Sequence, residues 1–271
     1  MTTRKPASCG HEDYNPVKFV GAGPGDPDLI TVKGQKALAG ADLIIYAGSL
    51  VPEDLLTWKK DGARTMNSAS MNLDEIVEHI HHSHKQNLRV VRLHTGDPSL
   101  YGAIYEQIRE LEMLGIPWEV IPGVTAAFAA AAAMGMEYTL PEKTQTLILT
   151  RISGRTPVPE KESLELLAAH GCSMAIYLSI SHVEKVEKIL TRHYGKESLC
   201  AVAFKVSHPG EKIFFCRTSE LSARVKEEKI NRQAIIIAGK VVESAHSRGD
   251  AIKSKLYDAA FSHGFRNSPD F

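Results

Sequence analysis

Short apolar runs alternate with amphipathic segments along most of the chain, and this pattern predicts an α/β fold. In the first half, apolar runs predict strands at residues 17–20, 43–46, 89–93 and 118–121. Between them, apolar residues recur at helical spacing, as in the segment after Asn72, where Glu75 completes the signature of a capping box. Strands that alternate with helices favour a mainly parallel sheet with helices on both faces.

The second half continues the alternation, with strands predicted at 146–150, 174–178, 200–206, 212–216 and 234–238. The segment Ser207-His208-Pro209-Gly210 favours a hairpin between two of these strands.

The pattern predicts two α/β domains with mainly parallel and mixed sheets, residues 17–122 and 123–243, with a hinge at Pro122-Gly123-Val124-Thr125-Ala126. The polar segments 1–16 and 244–271 are predicted to be a flexible N-terminal tail and a C-terminal tail.

Composition excludes several classes of function. Thirty-two basic residues balance thirty-two acidic ones, so no overall field favours nucleic acid or a membrane. The longest apolar run, 124–136, is too short to span a bilayer. The four cysteines lack C-x-x-C spacing, which predicts free thiols in a reducing cytoplasm, and no signal peptide is visible.

Clustered histidines on the second predicted helix raise the question of a metal site. At 3.6 residues per turn, His84 joins the apolar stripe, whereas His79 and His82 point away from it. Because these side chains diverge, we expect a solvated surface and no bound metal. Cys9 and His11 allow a two-ligand contact, but a disordered extension is the favoured interpretation.

A glycine-rich loop, residues 20–31, connects the first strand to the first helix. Such a loop often holds phosphate, which leaves a nucleotide-binding regulatory module as a rival hypothesis. Two features oppose it, since Pro24 and Pro27 lack an N–H donor and Asp26 and Asp28 add negative charge. We expect this loop, the Ser49 exit and the loop 95–102 to converge, because ligands bind beyond the carboxyl ends of parallel strands.

Four segments of the chain are distinctive: Val20-Gly21-Ala22-Gly23-Pro24-Gly25-Asp26, Gly96-Asp97-Pro98-Ser99-Leu100-Tyr101-Gly102, Pro122-Gly123-Val124-Thr125-Ala126 and Ala175-Ile176-Tyr177-Leu178-Ser179. In their order and spacing they resemble the tetrapyrrole methylases, and the resemblance covers residues 17–242. The resemblance implies the class III methyltransferase fold, an active-site cleft between two domains, and a homodimer. The run 150–160 resembles the subgroup that methylates precorrin-4 or cobalt-precorrin-4 at C-11 in cobalamin synthesis; uroporphyrinogen-III C-methyltransferase is the nearest alternative.

The resemblance also implies a cofactor, S-adenosylmethionine (SAM), a tetrapyrrole substrate and no protein-bound metal. Carried over by position, the residues expected to contact SAM are Pro24, Thr95, Gly96, Asp97, Leu100, Thr125, Ala126, Leu178, Val206 and Ala238.

Candidate residues for the macrocycle follow from side-chain chemistry. Arg151 and Arg155 are candidate clamps for its carboxylates, because a guanidinium fork matches a carboxylate; ordinary loop salt bridges are the alternative. Asp26 and Tyr101 are candidate catalytic residues, with structural hydrogen bonding as the alternative. Gly48 stands where many relatives carry an aspartate, so a carboxylate role there is absent or moved to Asp26 or Asp97.

Overall fold

The computed structural model describes residues 15–48, 53–247, 254–258, 261–262 and 264–266. Two compact units divide the chain between Ala129 and Ala130, whereas the sequence analysis placed the boundary between residues 122 and 123. Of the predicted N-terminal tail only Asn15 and Pro16 are described, so Cys9 and His11 lie outside the described residues.

A parallel sheet organises the first unit. Its elements are β1 (Val17–Gly21), α1 (Val32–Gly40), β2 (Leu43–Tyr46), β3 (Arg64–Asn67), α2 (Leu73–Lys85), β4 (Val90–His94), α3 (Ile104–Met113), β5 (Trp118–Ile121) and α4 (Ala126–Met134), which crosses the division. The strands are all parallel, in the order β3-β2-β4-β1-β5. The four strands predicted in this half are confirmed, and β3 was missed.

Both faces of this sheet are covered. Val20 and Ile44 pack with Leu38 of α1 on one face, and Phe19 and Ile45 pack with α2 and α3 on the other. Because both faces are buried, these strands read as continuous apolar runs rather than alternating ones.

The predicted start of α2 is confirmed in detail. The Asn72 side chain accepts a hydrogen bond from Glu75 N, and Asn72 N donates to the Glu75 carboxylate, which closes the capping box. His79 and His82 are exposed on this helix, while His81 and His84 are partly buried. In the described part of the chain, no group of three or more metal-binding side chains is placed to hold an ion.

A mixed sheet organises the second unit. Its elements are β6 (Leu147–Arg151), α5 (Leu164–Ala168), β7 (Ser173–Tyr177), α6 (Val183–Tyr194), β8 (Leu199–Phe204), β9 (Lys212–Arg217), α7 (Leu221–Glu227), β10 (Ala234–Ala238) and α8 (Lys240–Ser247). The order is β6-β7-β10-β8-β9; β6 and β7 are parallel and the other neighbours are antiparallel.

Two predictions for this half can be compared with the elements. The hairpin through residues 207–210 is confirmed by the antiparallel β8–β9 pair. The tail predicted from residue 244 begins inside α8, whose Val241 and Val242 are fully buried. None of the described helices combines the length and the apolar character that a bilayer crossing requires.

Candidate functional site

The carboxyl edge of the first sheet contains a topological switch point. The chain leaves β1 toward β2 and leaves β4 toward β5, so the connections from these two neighbouring strands run in opposite directions along the sheet. Open α/β sheets bind ligands in the crevice that such a reversal creates. The convergence of the loops after β1 and β4 is confirmed by the contacts below, and the Ser49 exit lies outside the described residues.

Two glycines join these loops through their backbones. Gly23 N donates to Gly96 O at 3.2 Å and Gly96 N donates to Gly23 O at 2.8 Å, while Ala22 N donates to His94 O at 2.7 Å. Gly23 and Gly96 both have left-handed backbone conformations, with φ of 81° and 60°. Glycine adopts this region without steric cost, so its presence allows the loops to pair.

A third loop, the one after β5, packs against the same backbone. A Cβ atom added to Gly123 would lie 2.2 Å from Gly96 O, and one added to Gly21 would lie 2.6 Å from Gly123 Cα. No real Cβ atom approaches a backbone oxygen so closely. Glycine is therefore required at both positions for the three loops to meet.

Asp97 ties two of the loops together. Its Oδ1 accepts a hydrogen bond from Ser99 N at 2.8 Å, and its Oδ2 accepts one from Gly123 N at 2.9 Å. Both carboxylate oxygens are thus engaged with the protein's own backbone. Asp97 positions the loop that carries Thr95, Gly96 and Leu100, rather than presenting a free carboxylate.

The other predicted SAM residues of the first unit lie on these same loops. Pro24 is buried beside Gly23. Thr125 is 9% exposed, and its carbonyl accepts from Phe128 N and Ala129 N, which starts α4 at Ala126.

The two candidate catalytic residues occupy different loops of this edge. Asp26 is exposed, and its Oδ1 accepts a hydrogen bond from Asp28 N at 2.9 Å to cap a short 3-10 turn. Tyr101 follows β4, is 43% exposed, and has a left-handed φ of 57°. Non-glycine residues held in this region are enriched at functional sites.

Gly48 is packed against an amide side chain. Gly48 N donates to Asn67 Oδ1 at 3.2 Å, and an added Cβ would lie 2.0 Å from Asn67 Nδ2. Asn67 of β3 therefore occupies the space that an aspartate side chain at position 48, as the resemblance predicts, would need.

Strand β4 carries two buried polar residues that the sequence analysis did not single out. Arg92 and His94 are each 5% exposed, on the α2–α3 side of the sheet. Burial lowers the pKa of Arg92 to about 10, and burial together with Arg92 lowers the pKa of His94 to about 3. At neutral pH, Arg92 is a buried cation and His94 is uncharged.

In the second unit, the carboxyl ends of β6, β7 and β8 share one edge with the start of β10. Leu178 follows β7 and is 64% exposed, and Val206 follows β8 and is buried. Leu178, Lys205, Ser207 and Gln233 all have left-handed φ angles between 47° and 60°. Such clustering of unfavourable backbone at one sheet edge is typical of ligand-binding sites.

Ala238 does not belong to this edge. The register pairs Ala238 with Met174 and Cys200, at the far ends of β7 and β8. Ala234, in contrast, pairs with Phe204 close to Val206. Because β10 runs antiparallel to both neighbours, its last residue lies at the edge of the sheet opposite Leu178 and Val206. The SAM contact expected at Ala238 stays a prediction.

The two candidate arginine clamps have different surroundings. Arg151 donates through Nη1 to Thr156 O at 3.0 Å and through Nη2 to Pro157 O at 2.9 Å. Its guanidinium therefore closes its own loop. Arg155, at the tip of that loop, is exposed and forms no ion pair within the described residues.

Comparison with known proteins identifies close relatives. The family model described as Tetrapyrrole (Corrin/Porphyrin) Methylases matches residues 16–222. The cobalt-precorrin-4 C(11)-methyltransferase of Methanocaldococcus jannaschii is 50% identical over 253 residues, which cover 93% of this chain and 96% of that protein. The precorrin-4 C(11)-methyltransferase of Pseudomonas aeruginosa is 46% identical over 250 residues, with coverage of 92% and 98%.

Solved structures show the same fold. The X-ray structure of a cobalt-precorrin-4 methyltransferase, described as a cobalamin biosynthetic enzyme, aligns with a TM-score of 0.82 and 45% identity, covering 84% of this chain and 95% of that one. A uroporphyrin-III C-methyltransferase of Thermus thermophilus, complexed with S-adenosylhomocysteine, aligns with a TM-score of 0.68 and 25% identity, covering 84% and 93%.

Proposed function

The chain belongs to the tetrapyrrole methylase family and is a methyltransferase of cobalamin biosynthesis, and we propose that it methylates precorrin-4 or cobalt-precorrin-4 at C-11. The observation that carries the proposal is the 50% identity to a cobalt-precorrin-4 C(11)-methyltransferase over 93% of the chain. The two relatives described above differ in whether their names include cobalt, and their identities of 50% and 46% are close. Both forms of the substrate are therefore included.

The residues of the first edge fit SAM as the cofactor. Their paired glycines bring bare backbone to the ligand, and the loop offers prolines and an exposed carboxylate in place of a ring of N–H donors. That chemistry suits a sulfonium cation and disfavours a pyrophosphate. We propose contacts from Pro24, Thr95, Gly96, Leu100, Thr125 and Ala126, with Asp97 holding the loops in place.

The second edge is proposed to contribute Leu178, Val206 and Ala234. Leu178 supports this role best, because its large apolar side chain is 64% exposed on a left-handed backbone, and strained backbone of this kind clusters at ligand-binding sites.

Methyl transfer from SAM requires few chemical groups from the protein. SAM, when bound, supplies a methyl group that is already activated on sulfur. The chain's residues therefore need to align the two reactants and to exclude water. Alignment raises the rate through effective molarity, and fixed dipoles act more strongly where water is excluded. A nucleophilic side chain and a protein-bound metal are not required by this reaction, and we propose neither.

Arg155 is the proposed contact for a carboxylate of the macrocycle. It is exposed at a loop tip, while Arg151 fixes that loop by donating to Thr156 O and Pro157 O. Asp26 and Tyr101 are proposed to contact the ring or handle its proton, since they are exposed on the loops after β1 and β4.

The family resemblance further supports a homodimer in the cytoplasm. Among alternative substrates, uroporphyrinogen-III remains the nearest, since the T. thermophilus structure shares the fold at 25% identity.

Ligand-dependent melting separates the methyltransferase from a nucleotide-binding regulatory module. We expect S-adenosylhomocysteine to raise the melting temperature of the wild-type chain, because a ligand that binds only the native state stabilises it. NAD and ATP at the same concentration serve as controls and should leave it unchanged. Stabilisation by NAD or ATP alone would contradict the proposed cofactor.

A further inference from the structure

A cavity of about 270 Å³ lies on the α2–α3 side of the first sheet. It is bounded by the residue after β2, the segment after β3, the first turn of α2, one residue of β4, and the first turn of α3 with the two residues before it. Its polar side chains are Ser68, Arg92, Glu106 and Gln107, and its apolar lining is Ala47, Ala69, Met71, Leu73, Ile76 and Ala103 with the backbone of Gly102. None of the predicted SAM residues lines it.

Arg92 is anchored at one side of this cavity. Its Nε donates to Gln107 Oε1 at 3.1 Å, and Gln107 Nε2 in turn donates to Ala103 O at 2.9 Å. Its Nη1 donates to Ile45 O at 3.2 Å and Leu93 O at 3.5 Å. Its Nη2 makes no hydrogen bond within the described residues. The guanidinium is therefore fixed in orientation, and its Nη2 has no hydrogen-bond partner among the described residues.

The charge of Arg92 has no counter-ion among the described residues. Its partners are three carbonyl or amide oxygens, and no carboxylate lies within ion-pair distance. Burying a cation without an anion costs several kcal/mol, and such groups are normally paired. A guanidinium that is 5% exposed, oriented by Gln107 and adjacent to a cavity is the arrangement expected where an anionic ligand supplies the missing charge.

The other charged groups near Arg92 are few. Glu106, on the first turn of α3, is exposed and lines the cavity. His94 lies two residues along β4, is buried and is uncharged at neutral pH. Glu106 is the group that would oppose a bound anion, and this makes it useful in a test.

We propose that the Arg92 cavity binds a carboxylate group of a ligand during methyl transfer. This inference rests on the proposed function for the identity of that ligand. Two sources share the chemistry, an acid arm of the macrocycle and the carboxylate of the methionine portion of SAM. A cavity of about 150 Å³ holds a benzene molecule, so the volume here admits either group.

The first experiment compares wild-type protein with Arg92→Met and Glu106→Gln. We expect Arg92→Met to lower the affinity for the ligand whose carboxylate enters the cavity by about 10- to 100-fold, because a charge-assisted hydrogen bond is lost. If the macrocycle supplies the carboxylate, its KM rises and the Kd of S-adenosylhomocysteine stays within about twofold. If SAM supplies it, that Kd rises instead. Glu106→Gln should strengthen binding of the same ligand by a few fold, because a like charge is removed.

Glu112→Gln is the matched control, since Glu112 is exposed on the same helix, carries the same charge and does not line the cavity. It should change neither constant. A purely structural Arg92 predicts no gain from Glu106→Gln. Unchanged KM and Kd in a folded Arg92→Met protein would overturn the proposal, and Arg92→Lys replaces this variant if it does not fold.

A second measurement separates failure of the site from failure of the proposed substrate. Titration of wild-type protein with propionate should shift the Arg92 Nε–H signal in the ¹⁵N NMR spectrum, and Arg92→Lys identifies that signal by its loss. A shift of the Arg92 signal in a protein that transfers no methyl group to precorrin-4 or cobalt-precorrin-4 would support the carboxylate site and contradict the proposed substrate. No shift up to high millimolar propionate would reject the site itself.

Discussion

At the scale of single residues, Asp97 shows how the site is held together. Its two carboxylate oxygens accept hydrogen bonds from Ser99 N and Gly123 N, which join the loops after β4 and β5. The resemblance implied a SAM contact at this position. The structure adds a reason for an acid there, because only a side chain with two acceptors satisfies both backbone donors.

Replacing Asp97 by alanine should therefore affect both stability and cofactor affinity. We expect Asp97→Ala to lower the free energy of unfolding by about 2 kcal/mol, since two backbone N–H groups lose a charged acceptor. The Kd for S-adenosylhomocysteine should rise about tenfold or more. Urea unfolding and calorimetric titration measure the two effects.

Asp28→Ala is the control for this substitution. Asp28 is an exposed acid on the neighbouring loop, and its replacement should change stability by less than about 0.5 kcal/mol. If Asp97→Ala behaves like Asp28→Ala in both measurements, the assigned role of Asp97 is wrong.

The convergence of the loops after β1 and β4 could be predicted from the sequence, whereas the buried polar groups of β4 could not. The glycines and acids of the β1 loop were recognisable because their chemistry is local. Arg92 and His94 were not, since strand β4 reads as a buried apolar segment and nothing in its neighbours shows that two polar side chains are 5% exposed. Only tertiary contacts reveal them: Arg92 contacts Ile45 and Gln107, and the His94 ring packs near Phe19.

At the scale of elements, three loops depend on close backbone contact. Gly21, Gly96 and Gly123 approach one another so closely that a side chain on Gly123 would overlap the Gly96 carbonyl. The loops after β1, β4 and β5 therefore form one rigid edge rather than three independent segments.

Gly123→Ala tests this rigid edge. The added methyl lies 2.2 Å from Gly96 O, so we expect a loss of at least about 2 kcal/mol in the free energy of unfolding. Gly40→Ala is the matched control, because its Cβ would meet only Arg89 Nη1 at 3.6 Å in a helix, where alanine is favoured. Equal unfolding midpoints in urea for the two variants would contradict the contact.

The elements were largely predictable, and the errors have physical causes. Strands with continuous apolar runs were found because both faces of the parallel sheet are buried. β3, with the sequence Arg-Thr-Met-Asn, was missed because it is a largely exposed edge strand without an apolar signal. The edge at which Ala238 lies could not be predicted, because the direction and register of β10 depend on its pairing with β7 and β8, which no local pattern specifies.

At the scale of the whole molecule, the family predicted from four ordered motifs is confirmed, and so is the fold. Each unit carries its own sheet with left-handed non-glycine backbone at one edge. The sequence alone could not show that Arg92 is buried without a counter-ion among the described residues, because burial and cavity volume exist only in the folded chain.

Transfer of a labelled methyl group identifies both the substrate and the ring carbon that the protein methylates. The protein is incubated with SAM labelled with ¹³C in its methyl group and with precorrin-4, cobalt-precorrin-4 or uroporphyrinogen-III, and NMR locates the new methyl on the ring. We expect label at C-11 of precorrin-4 or cobalt-precorrin-4 and none on uroporphyrinogen-III. Label on a different ring carbon, or on uroporphyrinogen-III alone, would contradict it.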